Sequence, residues 1–233
     1  MTKIYCDIAD LNLIKKFKRK KLVRGFTTNP TLMKKAGAKN YSDYSKKVIN
    51  TLKKTKQELS LEVLADDLQN MRRQAYIINS WDKNVFVKIP VLNSSGKFQG
   101  ELIKELSDKK INLNITAVFS VEQCRKILKA INKKSKVIIS IFAGRLGDSG
   151  KDALSVMKKS ISISKKFKNV QILWASTREA YSYVSAKKIG CHIITMPPDM
   201  IDKIEKFGSS SKNLSIKTVL GFLSDSKKAN FKL

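Results

Sequence analysis

A lysine in the middle of an apolar strand is the first residue whose chemistry needs explaining. In Val85-Phe86-Val87-Lys88-Ile89-Pro90-Val91 it is the only charge, and strand alternation sends Val85, Val87 and Ile89 to one face and Lys88 to the other. Burial disfavours the charged ammonium, and the neutral amine left behind can attack a carbonyl to form a Schiff base. Asp7 in Ile4-Tyr5-Cys6-Asp7-Ile8-Ala9 and Glu62 in Ser60-Leu61-Glu62-Val63-Leu64 repeat the pattern of one carboxylate in an apolar strand. Buried carboxylates need a partner or a task. Schiff-base chemistry supplies two tasks: loss of water from a carbinolamine, and removal of a hydroxyl proton as a carbon–carbon bond breaks. Structural salt bridges to Lys88 are the alternative.

Arginine is scarce, 7 residues beside 40 lysines, so the pair Arg145 and Arg178, each just after a predicted strand, stands out. Forked donors on both, with the Ser176 hydroxyl and the start of the helix after Ser176, form a candidate phosphate clamp. The competing reading is a structural pair such as Arg145 with Asp148.

The elements that must carry these residues follow from periodicity. Strands are predicted at 3–9, 23–29, 59–64, 84–91, 112–118, 136–143, 170–176 and 191–196, with helices at 10–17, 41–55, 67–79, 100–108, 120–131, 150–167, 178–188 and 199–207. Eight βα units within residues 1–207 predict an α/β fold, a (β/α)8 TIM barrel near its lower size limit. The open doubly wound alternative lacks its glycine-rich turn, since the first strand runs into Asp7-Ile8-Ala9-Asp10. Residues 208–233 read as a Gly-Ser connector and a C-terminal helix over 215–229, whose Ile216, Val219, Leu220 and Leu223 call for docking on the barrel or on a neighbouring subunit. In such a barrel the C-terminal strand ends hold the chemistry. Seven of the eight predicted strands deliver a polar side chain there: Asp7; Thr27, Thr28 and Asn29; Glu62; Lys88; Asn114 and Thr116; Ser140, with Arg145 beyond; and Ser176, with Arg178.

Composition bounds the rest. The chain has 233 residues, 42% of them hydrophobic, and a formal charge of +28, which fits one globular domain rather than a disordered basic tail. No apolar run is long enough to cross a bilayer and the first residues lack a signal-peptide core, which predicts a cytoplasmic protein without membrane association. Cys6, Cys124 and Cys191 are odd in number and lie in apolar surroundings, which predicts reduced, buried thiols. The single histidine, His192, excludes a site of several imidazoles and sits in an apolar strand as a packing residue. The basic excess invites a nucleic-acid reading. That excess is nearly all lysine, spread from Lys15 to Lys232 with no recognition motif, so a solvated coat is preferred and no specific nucleic-acid partner is expected.

Taken in order, Asp7-Ile8-Ala9, Thr27-Thr28-Asn29-Pro30-Thr31-Leu32, Leu61-Glu62-Val63-Leu64, Val87-Lys88-Ile89-Pro90, the stretch from Ile111 to Ser120, Ser140-Ile141-Phe142-Ala143-Gly144-Arg145 and Ala175-Ser176-Thr177-Arg178 resemble the transaldolases, including their short fructose-6-phosphate-aldolase-like branch. The resemblance implies a class I aldol mechanism in the pentose phosphate pathway, with no metal and no organic cofactor. By position Lys88 resembles the Schiff-base lysine, Glu62 with a water held by Thr116 the proton shuttle, and Asp7 the base for the C4 hydroxyl. Thr28, Asn29, Asn114, Ser140 and Phe142 match sugar-contacting positions, and Arg145, Ser176 and Arg178 the phosphate set. It implies sugar phosphate substrates and a homo-oligomer.

Glu62 and Phe142 match the transferase branch, where the aldolase branch tends to Gln and Tyr. Phenylalanine offers no proton donor to quench a carbanionic intermediate. Transfer of a dihydroxyacetone unit from fructose 6-phosphate or sedoheptulose 7-phosphate to an aldehyde phosphate is therefore expected, with cleavage that releases dihydroxyacetone as the alternative. The chain departs from the family pattern at Ile141, Ala143, Gly147 and Thr177, all at the phosphate and acceptor end.

Overall fold

The structure, a computed structural model, describes residues 1–232. Eight parallel strands close on themselves in sequence order: β1 Lys3–Asp7, β2 Val23–Thr27, β3 Glu58–Glu62, β4 Val85–Pro90, β5 Leu113–Val118, β6 Val137–Ile141, β7 Val170–Trp174 and β8 Ile193–Met196. The expected (β/α)8 barrel is present, and several predicted strands extend past the observed ends. Residues such as Ala9, Thr28 and Asn29 belong instead to the loops that form the rim.

The described residues form eleven helices, all but the last of them around the strands: α1 Leu11–Phe17, α2 Pro30–Lys35, α3 Tyr41–Leu52, α4 Leu68–Asn79, α5 Gly100–Asp108, α6 Val121–Ala130, α7 Ala143–Asp148, α8 Ala153–Ser164, α9 Ser182–Lys188, α10 Pro198–Ile204 and α11 Ser211–Ala229. Their starts are written in short polar residues. Asp10, Asn29, Asn40, Asp67, Ser120, Asp152 and Ser210 each accept a hydrogen bond from a backbone N–H in the first turn that would otherwise lack a partner. Two short helices, α2 and α7, were not expected from periodicity, because six residues hold too few turns for a 3.6-residue period to register. The helix after β7 starts at Ser182, not at Arg178, so no helix start lies beside Ser176.

Alternation divides each strand between two cores. Val85, Val87 and Ile89 of β4 and Leu113 and Ile115 of β5 join the layer against the helices. Tyr5, Phe86, Ile138, Leu173 and Ile193 fill the barrel interior as a floor. Gly25 makes room for that floor: a Cβ there would stand 2.8 Å from the Tyr5 ring and 2.9 Å from the Glu58 carbonyl. Cys6, Cys124 and Cys191 are buried free thiols, and burial pushes Cys124 up to about 11 and Cys191 up to about 12. His192 is half-buried just before β8 and serves as a hydrogen-bond acceptor, its Nδ1 accepting the Ile172 N–H at 3.0 Å.

The C-terminal helix α11 begins four residues earlier than expected and is exposed along its whole length. Its apolar face, with Ile216, Val219, Leu220 and Leu223, is not buried against its own barrel. The last residue of the predicted 208–233 segment lies outside the described residues. Among the described residues no helix is long and apolar enough to cross a membrane.

Candidate active site

At the C-terminal ends of the strands, above the Tyr5–Phe86 floor, opens a cleft of about 230 Å³. Lys88 points into it from β4 and is only 6% exposed. Its Nζ donates to the Thr28 carbonyl at 2.8 Å and to Glu62 Oε2 at 3.0 Å. Strand register sets this geometry, since Glu62 of β3 pairs with Lys88 and Lys88 with Asn114 of β5. Three inward side chains at one height on adjacent strands stand side by side.

Asn114 continues the layer. Its Nδ2 donates to Ser60 Oγ at 2.9 Å and its Oδ1 accepts from Ser140 Oγ at 2.6 Å, so each amide end is fixed by a hydroxyl. One turn of alternation above it, Thr116 lines the cleft with a buried Oγ1 that has no hydrogen-bond partner among the described residues.

Asp7 faces the cleft from β1. Its Oδ1 accepts from Thr27 Oγ1 at 2.7 Å, and that hydroxyl lies 2.5 Å from Thr195 Oγ1. Part of the carboxyl surface opens to the cleft, while protein crowds the rest. Burial pushes its pKa above the ordinary carboxylate range, helped slightly by the Glu62 charge and opposed by the Thr27 hydrogen bond and the Lys88 charge.

The phosphate candidates gather at the other side of the mouth. Arg145, Ser176 and Arg178 all line the cleft. The guanidinium of Arg145 lies over the Phe142 ring, 5.2 Å from its centroid, a favourable cation–π position. Phe142 in turn meets Phe119 at 5.6 Å. Arg178 donates through Nε and Nη2 to Asp148 Oδ2 at 2.9 and 2.5 Å. The structural ion pair weighed for Arg145 thus belongs to Arg178, and it holds the Asp148 carboxyl below the usual range.

The rim depends on residues that sequence reasoning did not single out. Gly144 lets the start of α7 approach the loop after β7, where a Cβ would fall 1.6 Å from the Ser176 carbonyl. Ser176 itself has φ +62, a left-handed conformation that costs energy for a residue with a Cβ. Tyr41 OH donates to the Glu62 carbonyl at 2.8 Å and accepts the Glu62 N–H at 2.9 Å. Tyr44 OH donates to the Ala9 carbonyl at 3.1 Å. Two tyrosines at the start of α3 therefore fasten the ends of β3 and β1.

Of the predicted residues, Asp7, Asn29, Lys88, Asn114, Thr116, Ser140, Phe142, Arg145, Ser176 and Arg178 line one cleft. Glu62 stands behind Lys88. Thr28 contributes its carbonyl to Lys88, while its side chain turns away and donates to the Ser60 carbonyl at 3.2 Å. Thr27 is the threonine of that pair that faces Asp7. The eighth strand, read as bringing no polar group, brings Thr195. Asn29 also caps α2, its Oδ1 accepting the Leu32 N–H at 2.9 Å.

Comparison with known proteins locates this arrangement. Residues 4–232 match the family described as Transaldolase/Fructose-6-phosphate aldolase. A probable transaldolase of Nitrosopumilus maritimus is 35% identical over 204 residues, 87% of this chain and 86% of that one. One from Methanococcus vannielii is 30% identical over 219 residues, 94% and 95% of the two chains. Among solved structures, a putative phosphonomutase from Burkholderia cenocepacia superposes with a TM-score of 0.58 at 7% identity, covering 96% of this chain and 94% of its own. An N-acetylneuraminate lyase from Mycoplasma synoviae superposes at 0.54 and 13% identity, covering 82% and 68%. These two likenesses show the barrel fold alone.

Proposed function

The chain belongs to the transaldolase/fructose-6-phosphate aldolase family, and on that premise we propose that it transfers a dihydroxyacetone unit between sugar phosphates through a Schiff base on Lys88. The observation that carries the reading is the Lys88 amine, buried in the cleft 3.0 Å from the Glu62 carboxylate, with Asp7 lining the same cleft.

The Lys88 amine, its proton taken by Glu62, attacks C2 of a ketose phosphate such as fructose 6-phosphate or sedoheptulose 7-phosphate. Glu62 then supplies the proton on which the carbinolamine hydroxyl leaves as water, giving the iminium. A water between Glu62 and the partnerless Thr116 hydroxyl serves as the relay, since a proton crosses such a gap through one bridging molecule. Asp7 removes the C4 hydroxyl proton, the C3–C4 bond breaks, and its electron pair flows into the iminium to leave an enamine. The first aldehyde phosphate departs. The enamine attacks the carbonyl of the acceptor, Asp7 returns the proton to the new hydroxyl, and water releases the product ketose.

A carboxyl held above its ordinary range suits that second role, because a base matched to the operating pH both accepts and returns a proton. Asn29, Asn114 and Ser140 orient the sugar hydroxyls, and Arg145, Ser176 and Arg178 receive the phosphate. Transfer rather than release is supported by the apolar Phe142 wall, which gives the enamine carbon no proton donor. The mixing experiment is direct. With fructose 6-phosphate as donor, turnover should require an aldehyde phosphate acceptor such as erythrose 4-phosphate. Rapid release of free dihydroxyacetone without acceptor would assign the aldolase reaction instead.

The same reading extends to assembly. The unburied apolar face of α11 is the surface through which this chain would join a second copy, in a homo-oligomer of a cytoplasmic enzyme.

A further inference from the structure

The basic residues are not spread evenly over the barrel. The seven loops that lead from a helix into the next strand, residues 18–22, 53–57, 80–84, 109–112, 131–136, 165–169 and 189–192, hold sixteen Lys or Arg and one carboxylate, Asp82. The stretches at the opposite end, which frame the active-site cleft, hold seven Lys or Arg and six carboxylates. A charge that is dispersed along the chain recurs in six of these seven loops, and the topology collects it on one face.

Fourteen of the sixteen cations are exposed, and among the described residues only Lys20 of the set pairs with carboxylates, Asp202 and Glu205. Two clefts cross this face and share Lys3 and Glu58. One, of about 450 Å³, is lined by Lys18, Arg19, Lys21, Arg24 and Lys56; the other, of about 250 Å³, by Lys136 and Lys168. So many unpaired like charges repel one another and concentrate anions at the surface.

We propose that this N-terminal face of the barrel binds the phosphate backbone of nucleic acid without reading its bases. Lysine is a point charge that meets phosphate without demanding one geometry. The aromatic residues of these loops, Trp81 and Phe167, are partly buried in the barrel, so no exposed ring is offered for stacking. A bilayer fits less well. None of the large apolar residues in the loops is exposed, whereas surface helices that bind lipid insert such side chains. The active-site cleft opens at the other end, so binding and turnover occupy separate faces.

The test is fluorescence anisotropy with a labelled ~20-nucleotide RNA of mixed sequence, the full-length protein, and salt varied from about 50 to 200 mM. The logarithm of affinity should fall linearly with that of salt concentration, by about 0.7 for each phosphate engaged. The combined variant Lys21→Gln, Lys56→Gln, Lys136→Gln and Lys168→Gln should lose at least ~10-fold in affinity and flatten the slope. Lys34→Gln, Lys35→Gln, Lys39→Gln and Lys97→Gln remove the same charge from the opposite end and should change affinity less than ~2-fold, allowing for the screening of distant charges. Circular dichroism checks that both variants fold. Donor turnover should continue with RNA bound.

Equal losses in the two variants would overturn the proposal by assigning binding to net charge alone. So would absence of binding at ~100 mM salt, tighter binding to phosphatidylserine vesicles or polyglutamate than to RNA, or competition between RNA and sugar phosphate.

Discussion

Lys88 Nζ and Glu62 Oε2 lie 3.0 Å apart, and the two residues are direct partners across β3 and β4. Both are largely shielded from water, where an ion pair contributes little net stability but loss of one partner strands the other. In the proposed reaction the pair acts as a proton relay between amine and carboxylate rather than as a clamp for the fold.

That relay is held by Tyr41, whose hydroxyl bonds both the carbonyl and the N–H of Glu62. Tyr41→Phe keeps the ring and removes both bonds, so it should cost about 1–3 kcal/mol in stability. Schiff-base formation should slow while KM for the donor changes little. Rapid-quench trapping separates the two, and an unchanged trapping rate would remove Tyr41 from the positioning of Glu62.

Asp7→Asn tests the second carboxylate. The Asp7 pKa is raised in the folded protein, so the native state holds its proton to higher pH than the unfolded chain. Its favourable contribution to stability is present below the unfolded carboxyl pKa and is lost as pH rises through the folded value. The Asn variant should therefore be more stable than the parent at neutral pH, and that advantage should vanish in acid. Carbon–carbon cleavage should fall by about 10²-fold or more. Thermal melts across pH check the first outcome and single-turnover assays the second.

Arg178→Ala addresses the phosphate. The Arg178–Asp148 pair is half exposed, at 51% and 52%, so its removal should cost less than about 1 kcal/mol. KM for the phosphorylated donor should rise about 10-fold or more, by loss of a charge-assisted contact. Turnover of unphosphorylated fructose should not change, and an equal loss for both sugars would place Arg178 outside the phosphate site.

Deleting residues 212–233 tests the reading of α11. Because its apolar side chains are exposed on the single chain, removal should lower the mass in solution to that of a smaller assembly, measurable by light scattering. An unchanged mass would exclude the helix from the interface.

The sequence reveals what alternation controls. Lys88, Asp7 and Glu62 each stand out as a charge beside a run of apolar strand residues, and the period of two then states which way each points. Thr195 carries no such contrast, since threonine is an ordinary strand residue, and only the fold, which sets it in the cleft beside Thr27, marks it as part of the site. Thr27 and Thr28 are adjacent, so their roles separate only once Gly25 and Thr27 are seen to share the inward face. Tyr41 acts on a backbone 21 residues away, a contact between helix and strand that no local pattern encodes. Gly144 is visible in the motif, but its reason is the Ser176 carbonyl in the loop after β7. The charge pattern is similar: its spacing along the chain looked diffuse until the barrel brought one end of each unit together.

Mass spectrometry after borohydride reduction in the presence of fructose 6-phosphate tests the central claim most directly. A reduced three-carbon adduct should appear on the peptide that contains Lys88, and Lys88→Ala should fold, form no adduct and lose turnover. An adduct on any other lysine, or a Lys88→Ala protein that still cleaves and transfers, would contradict a Schiff base at this position.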